Sequence, residues 1–271
     1  MSFDHGTGLL VAVLCRAGLT MLALIALVRW QREPLRLPPG TARWQVLVGL
    51  LIATQSLSLY SAVARIPVAL ALLVSNVFPI LLALLTWALG GARPTRRASL
   101  LMGMILVGLV LALDVPAQFA SAESVSPSWV HGVLFALTAA TAFACAVWVT
   151  THRLGALAGS VRSMNTMVIV FSVMALAGAS GLVPGGMAWP RDSTGWASLA
   201  VLMLLYAAGF SVMFVSMPRL NMARNAPVLN IEPIATLVLG WLVLDQRLTP
   251  GQIMGGLVVV AGIVLLSYRK S

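Results

Sequence analysis

The sequence Val74-Ser-Asn76-Val-Phe-Pro79-Ile80 recurs 154 residues further along the chain (228 − 74) as Val228-Leu-Asn230-Ile-Glu232-Pro233-Ile234. At the same offset Trp87 matches Trp241. Both copies lie in apolar segments long enough to cross a bilayer. The chain is therefore predicted to contain one membrane unit twice. Internal repeats of this kind are typical of transporters that bind substrate between the two halves.

The composition supports a membrane protein. The chain is 60% apolar and 9% charged, with a mean hydropathy of +0.98, whereas a soluble domain of this length needs far more charge. The net charge of +10 does not indicate nucleic-acid binding, because the arginines stand singly or in short groups at the ends of apolar segments, as topology signals do. The predicted partners are therefore the lipid bilayer and a small-molecule substrate.

The predicted fold is an all-α polytopic membrane protein with about nine transmembrane helices. Each apolar segment is about 20 residues long and ends at turn-forming proline, glycine or charged residues. The predicted spans are 8–29, 44–65, 68–90, 98–115, 129–151, 164–184, 195–217, 224–244 and 251–268.

The basic residues predict the orientation of these helices. Thirteen arginines and lysines fall on one side of the alternating helices and three on the other. Because cytoplasmic loops carry the excess of positive charge, the first side is predicted to be cytoplasmic. The N-terminus is then external and the C-terminus cytoplasmic. The thirteen are Arg29, Arg32, Arg36, Arg43, Arg93, Arg96, Arg97, Arg153, Arg162, Arg219, Arg224, Arg269 and Lys270; the three are Arg65, Arg191 and Arg247.

The repeat predicts the domain organisation. Residues 1–115 form a first repeat of four helices, 116–128 an external loop, and 129–271 a second repeat of five helices. The helix at 129–151 has no counterpart in the first repeat, and the helices that carry the Asn-Pro motif run in opposite directions. The two repeats are therefore predicted to be inverted.

Three segments give the chain a family resemblance. The segment from Leu59 to Trp87 resembles the first EamA repeat of the drug/metabolite transporter superfamily, and Asn230-Ile-Glu232-Pro233 followed by 241–250 resembles the end of the second. The resemblance covers nearly the whole chain. Where the family commonly has glutamate in Gly-Glu-x-x-Thr, this chain has Gln246 and Ala92. The resemblance implies a bacterial inner-membrane carrier, often an exporter of amino acids or other small metabolites, and it implies that the usual first helix is absent.

Arg16 and Glu232 are the two charges predicted to lie well inside the membrane. Each lies about eight residues from a helix end, hence about 12 Å deep in a core of about 30 Å. A charge at mid-helix costs roughly 2.5–3.5 kcal/mol on insertion scales, so it requires a reason. Glu232 could bind a proton or a substrate amine, with Arg16 as its partner or as a clamp for a carboxylate. Alternatively, the two form a structural ion pair between helices.

The Asn-Pro motif is predicted to shape the centre of the protein. Pro79 and Pro233 each remove a backbone hydrogen bond, so both helices should kink. The prolines free the carbonyls of Ser75 and Leu229, and an asparagine amide such as that of Asn76 or Asn230 is a suitable donor. Kinked helices at matching positions of two repeats indicate a binding site. Alternatively, these residues serve helix packing alone.

Other polar residues allow two interpretations. Tyr60 and Tyr206 could line the substrate or proton pathway, or they could form hydrogen bonds between helices; the same holds for Gln55, Asn165 and Thr166. Gly251, Gly255 and Gly256 favour close helix packing, either within the subunit or in a homodimer.

The sequence gives little support to other chemistry. The three histidines are far apart, which makes a metal site improbable. The P-loop motif is absent, and no nucleophile with a base falls within a helix. The chain is therefore predicted to be a secondary transporter without a cofactor and not an enzyme. The alternative is a non-transport membrane protein, either an intramembrane enzyme or a receptor-like scaffold.

Overall fold

The structure is a computed structural model that describes residues 6–35, 37–91, 93–112, 126–181, 186–216, 242 and 249–267. Every regular element in these residues is an α-helix. The predicted span 224–244 lies outside them apart from residue 242. The helices are α1 (Leu9–Gln31), α2 (Ala42–Val63), α3 (Val68–Ser75), α4 (Phe78–Ala88), α5 (Arg96–Ala112), α6 (Pro127–Arg153), α7 (Gly159–Ala179), α8 (Ser193–Ser216) and α9 (Pro250–Ser267).

The helices confirm the predicted all-α membrane class. By length and composition, five spans in the described residues can cross a bilayer: α1, α2, the segment Leu70–Ala88, α6 and α7. Two further apolar segments, Ser193–Gly209 in α8 and Pro250–Leu265 in α9, are shorter. Many large hydrophobic side chains on the described helices are exposed, as expected where lipid, rather than water, is the solvent.

Main-chain groups cap both ends of α1. The carbonyl of Gly186 accepts hydrogen bonds from the backbone N–H groups of Leu10 (2.9 Å) and Val11 (3.1 Å), which have no acceptor inside the helix. At the other end Arg32 adopts the left-handed conformation (φ 55°), and the N–H of Glu33 reaches the carbonyl of Val28 at 3.2 Å. The helix that carries Arg16 thus has defined ends.

The predicted span 68–90 is divided in two. Helix α3 ends at Ser75 and α4 begins at Phe78, because Pro79 has no N–H to continue the helical ladder. The amide of Asn76 donates to the carbonyl of Leu72 at 2.9 Å. The expected donation to the freed carbonyl of Ser75 is therefore wrong: the side chain folds back along its own helix by one turn.

The described chain forms two compact units. Unit 1 comprises Met1–Leu57 and Cys145–Asn221, and unit 2 comprises Ser58–Ala144 and Met222–Ser271. Each unit therefore takes segments from both sequence repeats. The division at 116–128 follows the sequence repeat rather than the contacts, and it stays a prediction.

Packing within unit 2 depends on glycine. Helices α5 and α9 pack so closely that a Cβ atom at Gly255 would meet the backbone nitrogen of Ala112 and, at 2.6 Å, the carbonyl oxygen of Gly108. Only glycine allows two backbones to approach in this way. Of the two interpretations of the glycine motif, the structure supports packing within the subunit for Gly255.

Candidate functional site

A buried guanidinium lies at the centre of the polar contacts in unit 1. Arg16, on α1, is 7% exposed. Its Nη2 atom donates to the hydroxyl of Ser56 on α2 at 2.8 Å. The guanidinium carbon lies 4.1 Å from the centroid of the Tyr206 ring on α8, well within the range of a cation–π contact. Three helices therefore hold this charge in a defined place.

The positions of Arg16 and Ser56 along their helices explain why they meet. Arg16 follows Leu9, the first residue of α1, by seven residues, and Ser56 precedes Val63, the last residue of α2, by seven. Neighbouring helices joined by a short connection run antiparallel, so equal offsets give equal depths. Ser56 was not among the site residues predicted from the sequence, although this matching depth favours it.

Neighbouring polar groups orient the contact. The Ser56 hydroxyl accepts from Arg16 and donates to Oε1 of Gln55 at 3.4 Å. One turn beyond Arg16, the hydroxyl of Thr20 donates to the carbonyl of Arg16 at 2.8 Å. The serine oxygen therefore presents a lone pair to the guanidinium, and the backbone around Arg16 remains helical.

The chemistry of this cluster suits an anion. The hydroxyl of Ser56 and the ring of Tyr206 hold the guanidinium of Arg16 in a defined orientation. Guanidinium groups bind carboxylates through two parallel hydrogen bonds, and these bonds strengthen in a medium of low dielectric constant. The cluster of Arg16, Ser56 and Tyr206 is referred to below as the Arg16 cluster.

The structure brings two of the predicted site residues together, namely Arg16 and Tyr206. Tyr60 is half-buried and lies one helical turn after Ser56 on α2. Asn76 and Pro79 are half-buried at the break between α3 and α4, in unit 2. The remaining predicted site residues lie outside the described residues; they are Asn230, Glu232 and Pro233.

A second polar contact in unit 1 joins two helices. Nε2 of Gln45, a residue that is 2% exposed, donates to the hydroxyl of Thr166 at 2.9 Å and to the carbonyl of Arg162 at 3.1 Å. Thr166 in turn donates to the same carbonyl at 2.9 Å. Of the two interpretations of Thr166, the structure supports a hydrogen bond between helices α2 and α7.

The described residues hold little other reactive chemistry. Cys15 and Cys145 are free thiols. Within the described ranges no group of three or more His, Cys, Asp and Glu side chains could hold a metal ion.

The apolar helices and the buried guanidinium define the class as a multi-pass membrane protein. The model of the EamA-like transporter family matches residues 5–113 and 130–268, so the chain belongs to that family, whose members are transporters. A solved crystal structure has the same fold, with a TM-score of 0.63 and 18% sequence identity over 98% of this chain and 90% of that one. No curated protein gives a significant match.

Proposed function

We propose that this chain is a secondary transporter that exports amino acids or related small metabolites across the bacterial inner membrane. Membership of the EamA-like transporter family supports the transport of small solutes. In this proposal one sequence repeat moves against the other in an alternating-access cycle, the usual mechanism of transporters built from inverted repeats.

The Arg16 cluster carries the proposal for the substrate class. A charge inside a membrane is costly, so it indicates a structural or functional role, and contacts from α2 and α8 hold the guanidinium of Arg16 in place. We assign it the carboxylate of the substrate. Glu232, the other charge that the sequence places inside the membrane, is proposed to bind the substrate ammonium group or a coupling proton. The pair would complement the two charges of an amino acid.

The remaining predicted residues complete the proposed pathway. Asn76 and Asn230, next to Pro79 and Pro233, are proposed to line it. Tyr60, one turn from Ser56, is proposed to do so as well. The inverted Asn-Pro repeat supports this part of the proposal, since irregular backbone inside a membrane is tolerated where protein or cavity water satisfies it.

Transport by the purified protein tests the proposal. Liposomes containing the protein are loaded with a panel of labelled amino acids, the amines that lack their carboxylate, and the hydroxy acids that lack their amine. The loss of each solute is compared with that from loaded liposomes that lack the protein. Faster loss of amino acids than of amines is expected. If liposomes with the protein release none of the solutes faster than liposomes without it, the proposal is wrong and the non-transport alternative is favoured.

Glu232→Gln tests the second charge separately. If Glu232 carries the coupling proton, this variant is expected to reach the membrane in normal amounts and to lose the pH dependence of transport. Normal transport across the pH range would contradict the coupling role. Absence of the variant from the membrane would instead favour a structural ion pair.

The orientation is also part of the proposal, with the N-terminus external and the C-terminus cytoplasmic. Reporter enzymes that are active on one side of the membrane, fused at Ser121 and at Arg96, test it. An external signal from Ser121 and a cytoplasmic signal from Arg96 are expected. A cytoplasmic signal from Ser121 would contradict the assignment.

A further inference from the structure

Two guanidinium groups share one tryptophan at an end of unit 1. The guanidinium carbon of Arg153, at the end of α6, lies 4.8 Å from the centroid of the Trp44 ring. That of Arg43, at the start of α2, lies 5.3 Å from the same ring. Both distances are within the range of a cation–π contact. The two positive charges are therefore held against the same ring, although like charges repel.

The protein interior fixes the tryptophan in place. Trp44 is half-buried and packs against the apolar cluster that includes Val48 and Leu154. Arg162, in the first turn of α7, brings a third cation to the same helix ends, and its Nη1 atom donates to the carbonyl of Leu154 at 3.4 Å. The surface formed by Arg43, Trp44 and Arg153 is called the Arg43–Arg153 surface below.

The described part of the chain supplies no counter-charge for this surface. Glu33 and Asp192 are the two acidic residues in the described ranges. Neither forms an ion pair with Arg43 or Arg153, both of which are exposed. A cluster of cations that the described residues do not neutralise attracts an anion from its surroundings.

An apolar stripe continues from Arg43 along α2. Val46, Leu47 and Leu50 are all exposed large hydrophobic residues. They follow Arg43 by three, four and seven residues, so all four share one face of the helix. This face thus begins with a guanidinium and continues with apolar side chains, an order that complements the anionic headgroup and the acyl chain of a phospholipid.

We propose that the Arg43–Arg153 surface binds the headgroup of an anionic phospholipid. The phosphate lies between the two guanidinium groups, and an acyl chain lies along Val46, Leu47 and Leu50. In the predicted orientation this is the cytoplasmic leaflet, where basic residues between helix ends recognise anionic headgroups. The proposed ligand is a bilayer lipid rather than a soluble phosphate, because only a lipid has an acyl chain that can contact the apolar stripe. It does not depend on the proposed transport function.

Native mass spectrometry of the intact protein tests the proposal. The protein is released from detergent micelles doped with either phosphatidylglycerol or phosphatidylcholine of identical acyl chains, and the bound lipids are counted. Arg43→Gln/Arg153→Gln is compared with Arg96→Gln/Arg97→Gln. The second pair removes the same charge from two exposed arginines at the start of α5, on the same predicted side.

The wild-type protein is expected to retain phosphatidylglycerol in preference to phosphatidylcholine. Because each arginine that contacts the bound headgroup contributes about a fivefold gain, the Arg43/Arg153 variant should bind phosphatidylglycerol roughly thirtyfold more weakly. The Arg96/Arg97 variant should change by less than about threefold, since the test concerns a site rather than net charge.

Three results would overturn the proposal. The wild-type protein could retain phosphatidylcholine as well as phosphatidylglycerol, a result that needs no variant to fold. The two double variants could lose phosphatidylglycerol equally, which would indicate attraction by net charge alone. Lastly, glycerol phosphate, which has the phosphate but no acyl chain, could displace the lipid at millimolar concentration, which would identify a site for soluble anions.

Discussion

The interiors of the two compact units differ in polarity. Eight residues are both buried and polar or charged in the described part of the chain, and seven of them belong to unit 1. Those seven are Thr7, Arg16, Thr20, Gln45, Ser56, Ser160 and Thr166, whereas unit 2 contributes Ser58. Burying a polar group is costly unless it is bonded. The concentration of such groups in unit 1 therefore identifies it as the unit built around specific polar contacts.

Unit 2 is held together in a different way. Its described core consists of aliphatic residues from the end of α2, α3, α4, α5, the start of α6 and α9. Helices in a membrane have no hydrophobic driving force for association, so close backbone packing at small residues must replace it. The contact of Gly255 with α5 is the clearest example. The comparison teaches that unit 2 depends on shape and unit 1 on paired polar groups.

The largest effect on stability is expected at the glycine contact of unit 2. Gly255→Ala places a Cβ atom against the backbone of α5 at Ala112 and Gly108, and backbone cannot move aside as a side chain can. Overpacking of this kind costs about 3 kcal/mol. Unfolding of the purified protein in increasing SDS should show the loss.

Gly103→Ala provides the matched control, since Gly103 lies on α5 with nothing within 4 Å of the position of its Cβ. That variant should be neutral or gain up to about 1 kcal/mol from helix propensity. Equal stability of Gly255→Ala and Gly103→Ala would contradict the account of unit 2.

A smaller effect, on substrate affinity, is expected at Ser56 in unit 1. Ser56→Ala removes the hydrogen bond to Arg16, and a bond to a charged group contributes about 1.5–3 kcal/mol. The KM for transport should rise at least about tenfold because the guanidinium loses its fixed orientation. Thr54→Ala is the control: Thr54 is exposed on the same helix, and its hydroxyl bonds its own backbone at Leu50. A KM that is unchanged in Ser56→Ala, or raised equally in Thr54→Ala, would contradict the role of Ser56.

The smallest effect is expected at Asn76 in unit 2. Its amide bonds the carbonyl of Leu72 in its own helix, so Asn76→Ala should lower the free energy of unfolding by about 1 kcal/mol. Measurement of KM sharpens the comparison between the units. A rise greater than about tenfold would mean that Asn76 contacts substrate directly, which the proposed pathway allows. In that case unit 2 would also supply a polar contact to the substrate, and the contrast between a polar unit 1 and an apolar unit 2 would not hold.

Most helices of the described residues could be predicted from the sequence. Apolar length and turn residues predicted α1, α2, α5, α6, α8 and α9 to within about three residues of each end, because a bilayer requires about 20 apolar residues for each span. The predicted span 164–184 was displaced, since α7 begins at Gly159 and ends at Ala179. The position of the break near Pro79 also followed from the sequence, since proline has no N–H.

The side-chain contacts were harder to predict from the sequence. The sequence indicated Arg16 by its cost inside a membrane. Matching depth favours Ser56 as its partner, but α2 also contains Ser58 and Ser61, and the choice depends on which face of α2 meets α1. The amide of Asn76 donates to the carbonyl of Leu72 and not to that of Ser75. Both carbonyls belong to the end of α3, and the sequence does not distinguish them. The contact of Gly255 with α5 could not be predicted, because it depends on which helices pack together, and hydrophobic periodicity does not give that information.

Transport by Arg16 variants tests the central claim most directly. The initial rates for one amino acid and for the amine that lacks its carboxylate are compared in liposomes that contain wild-type protein, Arg16→Lys or Arg16→Gln. If Arg16 binds the carboxylate, Arg16→Gln should transport the amino acid on the order of a hundredfold more slowly, as expected for the loss of a buried charge pair. It should transport the amine at nearly the wild-type rate, and Arg16→Lys should be intermediate, because lysine keeps the charge without the planar fork. An equal fall for both solutes, or an Arg16→Gln variant that still prefers the amino acid as the wild-type does, would contradict the account.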